Sequence, residues 1–167
     1  MSMHTMAVDS IVPMLTSLSE WLDKAQAQGR TDLLDARLAP DMFTLAQQVQ
    51  QACHYASDGL SRLGGSGAIA MPPLETTFAG LQAQIAATIA GARALPASAG
   101  AEDRDCSIEI PGNMVIALTG LTLLRAWTLP HFYFHIVTAY DILRHGGIEL
   151  GKRDYLSQVG QYVRPKS

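Results

Sequence analysis

The stretch LPHFYFHIVTAYDILRHGG, Leu129–Gly147, decides the fold. Each residue of an α-helix turns about 100°, so positions four apart share a face. Phe132, Ile136, Ala139 and Leu143 then form one apolar stripe, and Phe134, Val137 and Tyr140 carry apolar character further round. A helix apolar on nearly every side is usually buried. The spacing therefore predicts a helix packed among others and ending at Gly146-Gly147. His131 and His135 stand one turn apart on an adjoining face, which continues through Thr138, Ile142 and His145.

Working outward, Pro130 either kinks this helix or begins it, and Thr119 can cap a helical segment running to about Thr128. Before it, Cys106–Leu118 alternates partly around Pro111-Gly112-Asn113, which reads as a small β-hairpin. Residues Leu95 to Asp105 read as a loop. Leu74, Phe78, Leu81, Ile85, Ile89 and Ala92 form a third helical face, expected to start at Pro72-Pro73. Met42, Leu45, Val49, Ala52, Ala56, Leu60 and Leu63 form a second, with Asp41 as the expected N-cap and Gly64-Gly65-Ser66-Gly67 as its end. Val8, Ile11, Leu15, Leu18 and Leu22 form a first, expected from about Asp9 to Gln28, where Pro13 is tolerable near the start. A short turn is expected at Leu33–Arg37. The tail, Ile148 to Ser167, is expected to pack loosely or meet a partner. Four long helices and one hairpin before the last helical region give an all-α four-helix bundle, read as a single domain over 1–167.

Composition supports this and narrows function. With 48% hydrophobic and 16% charged residues, the chain can fill a core and is not a disordered type. Net charge is −3 and the basic residues are scattered, which argues against nucleic acid. MSMHTMAVDS lacks a cationic stretch leading into an apolar run, and no apolar stretch reaches spanning length, so a cytoplasmic protein with no membrane partner is expected. Cys53 and Cys106 form no paired motif, and Cys53 reads as a small buried hydrophobe.

The histidine pair carries the chemistry. Neutral imidazole binds zinc, nickel or iron, and two on one helix can hold one ion; the expected candidates are zinc, nickel or manganese, although a catalytic ion needs a third protein ligand. His54 is the third candidate, yet it lies half a turn from its helix's core stripe, and Asp58 is its i+4 neighbour. Gln48 flanks the stripe and reaches inward better, as a hydrogen-bond partner rather than a ligand. Tyr140 needs a partner if buried and could line a polar pocket. The other aromatic residues, Phe132, Tyr133, Phe134 and Trp127, read as core. Asp141 and Arg144, and Arg37 and Asp41, could pair, while Lys152, Arg153 and Asp154 read as a solvated run.

The pattern His131-x3-His135 followed by Leu143-Arg144 and Gly147 resembles the last helix of the DinB-like superfamily of helical bundles. RLAPDMFTLAQQVQ (Arg37–Gln50), LETTFAGLQAQI (Leu74–Ile85) and LPHFYFHIVTAYDILRHGGIELGKRDYL (Leu129–Leu156) resemble the family called domain of unknown function 1993. The resemblance implies an up-down-down-up bundle, often paired into dimers. In the wider superfamily it implies a divalent ion held by one histidine of helix 2 and two of the HxxxH. Here the HxxxH falls on His131 and His135, the helix 2 position falls on Gln48, and the closer family commonly has asparagine at the place of His131.

Three functions follow as expectations. One is a bundle with a polar pocket at Gln48, His135 and Tyr140 that binds a small molecule or works within a dimer. Another is a metal-dependent transferase or hydrolase. The third is a structural homodimer with no ligand.

Overall fold

The computed structural model describes residues 2–96, 98 and 100–166; Ala97 and Ala99 of the expected loop, and Met1 and Ser167, lie outside the described residues. Four long helices surround a shared core: α1 (Met3–Ala27), α2 (Leu45–Gly64), α3 (Phe78–Ala94) and, further on, α5 (Leu129–His145). Between α3 and α5 lie β1 (Asp105–Ile110), β2 (Met114–Thr119), the short α4 (Gly120–Thr122) and a π-helical segment, Leu123–Thr128. A further short helix, α6 (Lys152–Tyr155), follows α5.

Each long helix has two long neighbours. α1 packs on α3 and α5, and α2 packs on α3 and α5. Ser19 on α1 donates to Gln82 on α3, and Met3 shares a small apolar hollow with Leu60, Leu63 and Leu95. The ends of α2 and α3 therefore meet the start of α1. α5 runs back along α2, since Gln48 meets His135 while Gly59 faces Thr128. The directions are up, down, down, up, as expected.

The apolar stripes explain the core. Ile11, Leu15, Leu18, Leu22, Leu45, Val49, Ala52, Ala56, Phe132, Ile136, Ala139 and Leu143 are fully enclosed. Trp21 is fully enclosed as well, although it lies beside the α1 stripe. The hairpin forms where alternation placed it, with Ile110 opposite Met114 and Cys106 opposite Leu118. Cys106 and Ile108 turn inward, so the two strands lean on the bundle. Among the described residues no helix is long and apolar enough to cross a membrane.

Several boundaries differ from expectation. α1 begins at Met3 rather than Asp9, because Ser2 Oγ accepts from Thr5 N at 3.1 Å and Met3 and Ala7 add buried turns. Pro13 thus sits inside the helix, and the carbonyl it leaves without a helical donor belongs to exposed Asp9. The short turn is a 3₁₀ helix at Thr31–Asp35. Asp41 is not the cap of α2. Thr44 is, because its hydroxyl accepts from Gln47 N while Gln47 Oε1 accepts from Thr44 N at 2.9 Å, a capping box. Met42 therefore precedes the helix, and Arg37 donates to the Pro40 and Met42 carbonyls instead of pairing with Asp41.

α3 starts at Phe78, capped by Thr77, and not at Pro72-Pro73; Leu74 is exposed in the preceding segment. The tail is tied down over its first half. Ile148 and Leu150 are buried, Tyr155 stacks on Trp21 at 5.9 Å, Trp21 Nε1 donates to the Asp154 carbonyl, and Ser17 meets Ser157 at 2.9 Å. Asp154 is accordingly no member of a solvated run. It accepts from Lys24 Nζ at 2.6 Å and from Gly151 N at 2.7 Å, and Lys24 first, then Gly151, holds its carboxyl below the ordinary value.

The cap assignment has a direct consequence. Thr44→Ala should lower unfolding free energy by about 1 kcal/mol, whereas Asp41→Ala should leave it within about 0.5 kcal/mol. Urea denaturation of the two variants checks both values.

Candidate functional site

Pro130 shapes the approach to the histidines. It has no N–H to donate, and its ring would collide with the carbonyl four residues back in an α-turn. The chain opens into a π turn just upstream, where Leu129 N donates to the Leu124 carbonyl, five residues back. Pro130 then lies in the first turn of α5. Thr128, at the end of the π turn, is buried against α2, where a Cβ on Gly59 would strike the threonine side chain. That close approach fixes which face of α5 meets α2.

His135 points at α2. Its Nδ1 lies 2.7 Å from Gln48 Oε1. Gln48 Nε2 donates to the Phe43 carbonyl at 3.3 Å, so the oxygen of the amide is turned to the ring. A carbonyl oxygen only accepts, so Nδ1 of His135 carries the proton and Nε2 keeps its lone pair. His131 follows the same rule: its Nδ1 donates to the Trp127 carbonyl at 2.8 Å. Burial first, and the neighbouring His131 second, lower the pKa of His135 to about 4, so the ring is neutral at physiological pH.

Aromatic rings frame the pair. Tyr55 lies nearly parallel to both imidazoles, with ring centres 4.3 Å from His131 and 5.5 Å from His135. Trp127 lies 4.4 Å from His131, and Phe134 and Phe43 lie 5.3 Å and 6.3 Å from His135. Tyr55 was not among the expected site residues. It is seven positions beyond Gln48, two helical turns, so the same periodicity that turned Gln48 inward also pointed to it. Phe134 is 55% exposed and Val137 39%, so α5 is not enclosed on every side. Phe134, with Phe43 at 45%, forms an open apolar rim beside His135.

The other expected residues lie elsewhere. Tyr140 is five positions past His135, well round the helix, and packs on Trp21 at 5.2 Å and Tyr155 at 5.7 Å. Arg144 stands over the Tyr140 ring rather than against Asp141. His54 turns away from the pair, but it does not face solvent as half a turn from the core stripe suggested: it is half-buried against α3. Its expected partner Asp58 is taken by Arg62 Nε at 2.7 Å and by Ile69 N at 3.0 Å. Cys53 is enclosed, and burial pushes its thiol up to about 12, which keeps it protonated.

The donor set limits what the pair can hold. Two Nε2 lone pairs are offered, Gln48 is spent on orienting His135, and no third histidine, cysteine or carboxylate gathers with them among the described residues. The three-histidine ion site implied by the resemblance is not assembled from these side chains. What remains is a neutral, oriented imidazole acceptor at the edge of an aromatic face.

The family described as domain of unknown function (DUF1993) matches residues 3–156. Among solved structures, a DinB family member protein from Shewanella denitrificans matches with a TM-score of 0.80 at 35% identity, over 98% of this chain and 96% of that one. No curated protein matches. The bundle, the hairpin ahead of its last helix and the match across nearly the whole chain agree, and the protein belongs to the DUF1993 family of DinB-type helical bundles.

Proposed function

We propose that the protein is a small-ligand-binding bundle whose site is the Gln48–His135 pair with Tyr55, Phe43 and Phe134. The observation that carries this is the fixed tautomer of His135. Gln48 Oε1 accepts from the protonated Nδ1 at 2.7 Å, and a low pKa keeps Nε2 a hydrogen-bond acceptor. The surrounding rings offer an apolar platform. A fitting ligand has an apolar or aromatic body and one O–H or N–H donor.

Phenol is a suitable probe and toluene its control. Phenol should shift the His135 Nε2 resonance saturably in the ¹⁵N spectrum, and toluene, with no donor, should bind roughly tenfold more weakly. Phenol binding that survives unchanged in His135→Phe removes this reading.

A second reading gives His131 and His135 one divalent ion. It is favoured by the way both rings anchor Nδ1 on an oxygen and keep Nε2 free, the arrangement ligating histidines adopt. Zinc, nickel or manganese titrated into chelator-treated protein should then bind near one equivalent in wild type and be lost in His135→Ala, with His54→Ala unchanged. Uptake below about a tenth of an ion per chain ends it.

The apolar rim also suits a second copy of the chain, the homodimer that the resemblance implies. Light scattering across micromolar concentrations should give twice the 18.0 kDa chain mass, reduced in Phe134→Glu; 18.0 kDa throughout removes the dimer.

The His135 shift also makes stability depend on pH. The folded chain favours the neutral ring, so protonation favours unfolding. The contribution is complete above the ordinary value of 6.5 and is lost as pH falls toward about 4. Thermal melts over that window should show a steeper decline in wild type than in His135→Phe; parallel declines would contradict the buried neutral ring.

A further inference from the structure

α2 sends polar side chains to two sides. Gln48 and Tyr55 turn toward α5, whereas His54 and Ser57 turn toward α3. With Gln84 and Thr88 of α3 they line a cavity of about 260 Å³, walled further by Ile69 and Pro72. The segment 69–72 belongs to no helix or strand, yet α2 holds it at both ends. Gln50 Nε2 donates to the Pro72 carbonyl at 2.7 Å, and Ile69 N donates to Asp58 Oδ1 at 3.0 Å. Gln50 and Asp58 are themselves buried, and Arg62 holds Asp58 in place. Two buried polar residues eight positions apart thus fix a roof over the side of α2 that carries His54.

The polar groups under this roof are short of partners. His54 Nδ1 and both amide atoms of Gln84 are out of contact with water and make no hydrogen bond among the described residues. They are three of the six such side-chain atoms among the described residues, and both residues line this one cavity. Buried polar atoms in folded proteins are nearly always satisfied, and a cluster that is not calls for a partner. Thr88 does not satisfy them: its hydroxyl donates to the Gln84 backbone carbonyl at 2.9 Å, and neither the His54 ring Nδ1 nor the Gln84 amide bonds to it.

The chemistry of the cluster selects the partner. Burial lowers the basicity of His54, so its ring presents one donor and one acceptor. The Gln84 amide presents the same duality. The charges nearest the cavity, Arg62 and Asp58, are spent on each other at 2.7 Å. The Cys53 thiol stays protonated, which excludes a thiolate nucleophile. The volume is below the roughly 300–1,000 Å³ of sites for drug-sized ligands, so a single ring fits. The last torsion of glutamine is broad, so the Gln84 amide can turn toward a ligand without leaving a favoured rotamer.

We infer that this cavity is a second ligand site, for a small neutral ring with adjacent N–H and C=O groups, such as a cyclic amide or a pyrimidine-type base. His54 and Gln84 pair with that edge, and the roof at Ile69–Pro72 covers it. The site is separate from the His135 face and does not depend on it.

Uracil, 2-pyridone and toluene titrated into the full chain test this, read on the ¹⁵N resonances of the His54 ring and the Gln84 side-chain amide. At least one of the two cyclic amides should shift both saturably, and toluene should not. Affinity should fall at least tenfold in Gln84→Leu and in His54→Phe, and stay as in wild type in His135→Phe. If Gln84→Leu fails to fold, Gln84→Met takes its place. The inference is overturned if neither cyclic amide gives a saturable shift, if binding survives in both variants, or if toluene binds as tightly. It is equally overturned if Gln84→Leu only raises the melting temperature while wild type binds neither probe, since the amide would then be a packing cost and nothing more.

Discussion

Pro130 cannot donate a backbone hydrogen bond, and the geometry of the whole α2–α5 interface follows from how the chain absorbs that loss. The π turn at Leu123–Thr128 widens the helix just before the proline. It delivers Thr128 against α2 at Gly59, where no larger residue fits. With that end anchored, the phase of α5 is set for its whole length. Phe132, Ile136, Ala139 and Leu143 meet the core, and His131 and His135 meet Tyr55 and Gln48. π turns inserted into α-helices occur often at functional sites because they re-aim the side chains that follow. Here the residues re-aimed are the two histidines.

The other end of α5 is held by a different interaction. Trp21, fully enclosed on α1, receives Tyr140 edge-on and Tyr155 face-on. Its indole N–H bonds the Asp154 carbonyl, whose side chain in turn binds Lys24 and Gly151 N. This closes the segment after α5 back onto α1. It also explains why Tyr140 is buried without joining the histidine face: its ring is needed one side of the helix away.

Much of this was legible in the sequence. The three-and-four spacing of apolar residues gave α1, α2, α3 and α5, and alternation around Pro111-Gly112-Asn113 gave the hairpin. Boundaries were less legible, because several residues near a helix start can cap it. Asp41 is a good cap by type, but only Thr44 has a glutamine three positions on to complete the reciprocal pair. Pro72-Pro73 suits a first helical turn, yet Gln50 holds the Pro72 carbonyl to α2, and the helix begins only after Thr77. The contact of Gln48 with His135 was within reach of helix phase alone. Tyr55 was equally within reach, at the same phase, but a tyrosine in a helix reads first as packing.

The buried polar residues of α2 do more than pack. Gln48, Gln50 and Asp58 are each buried, and each is satisfied by a specific partner: a histidine ring, a proline carbonyl, an arginine with a backbone N–H. A helix that only needed to pack would place apolar residues at these positions, since a buried polar group gains little over water even when bonded. What the three polar residues do in common is fix something that apolar contacts leave free. Gln48 fixes a tautomer, Gln50 and Asp58 fix a loop. Both outcomes bear on a neighbouring histidine: Nε2 of His135 stays an acceptor on one flank, and the fixed loop walls the His54 ring on the other. α2 is thus the helix on which the two histidine-bearing flanks of this bundle are oriented, and α5 and α3 supply the opposing walls.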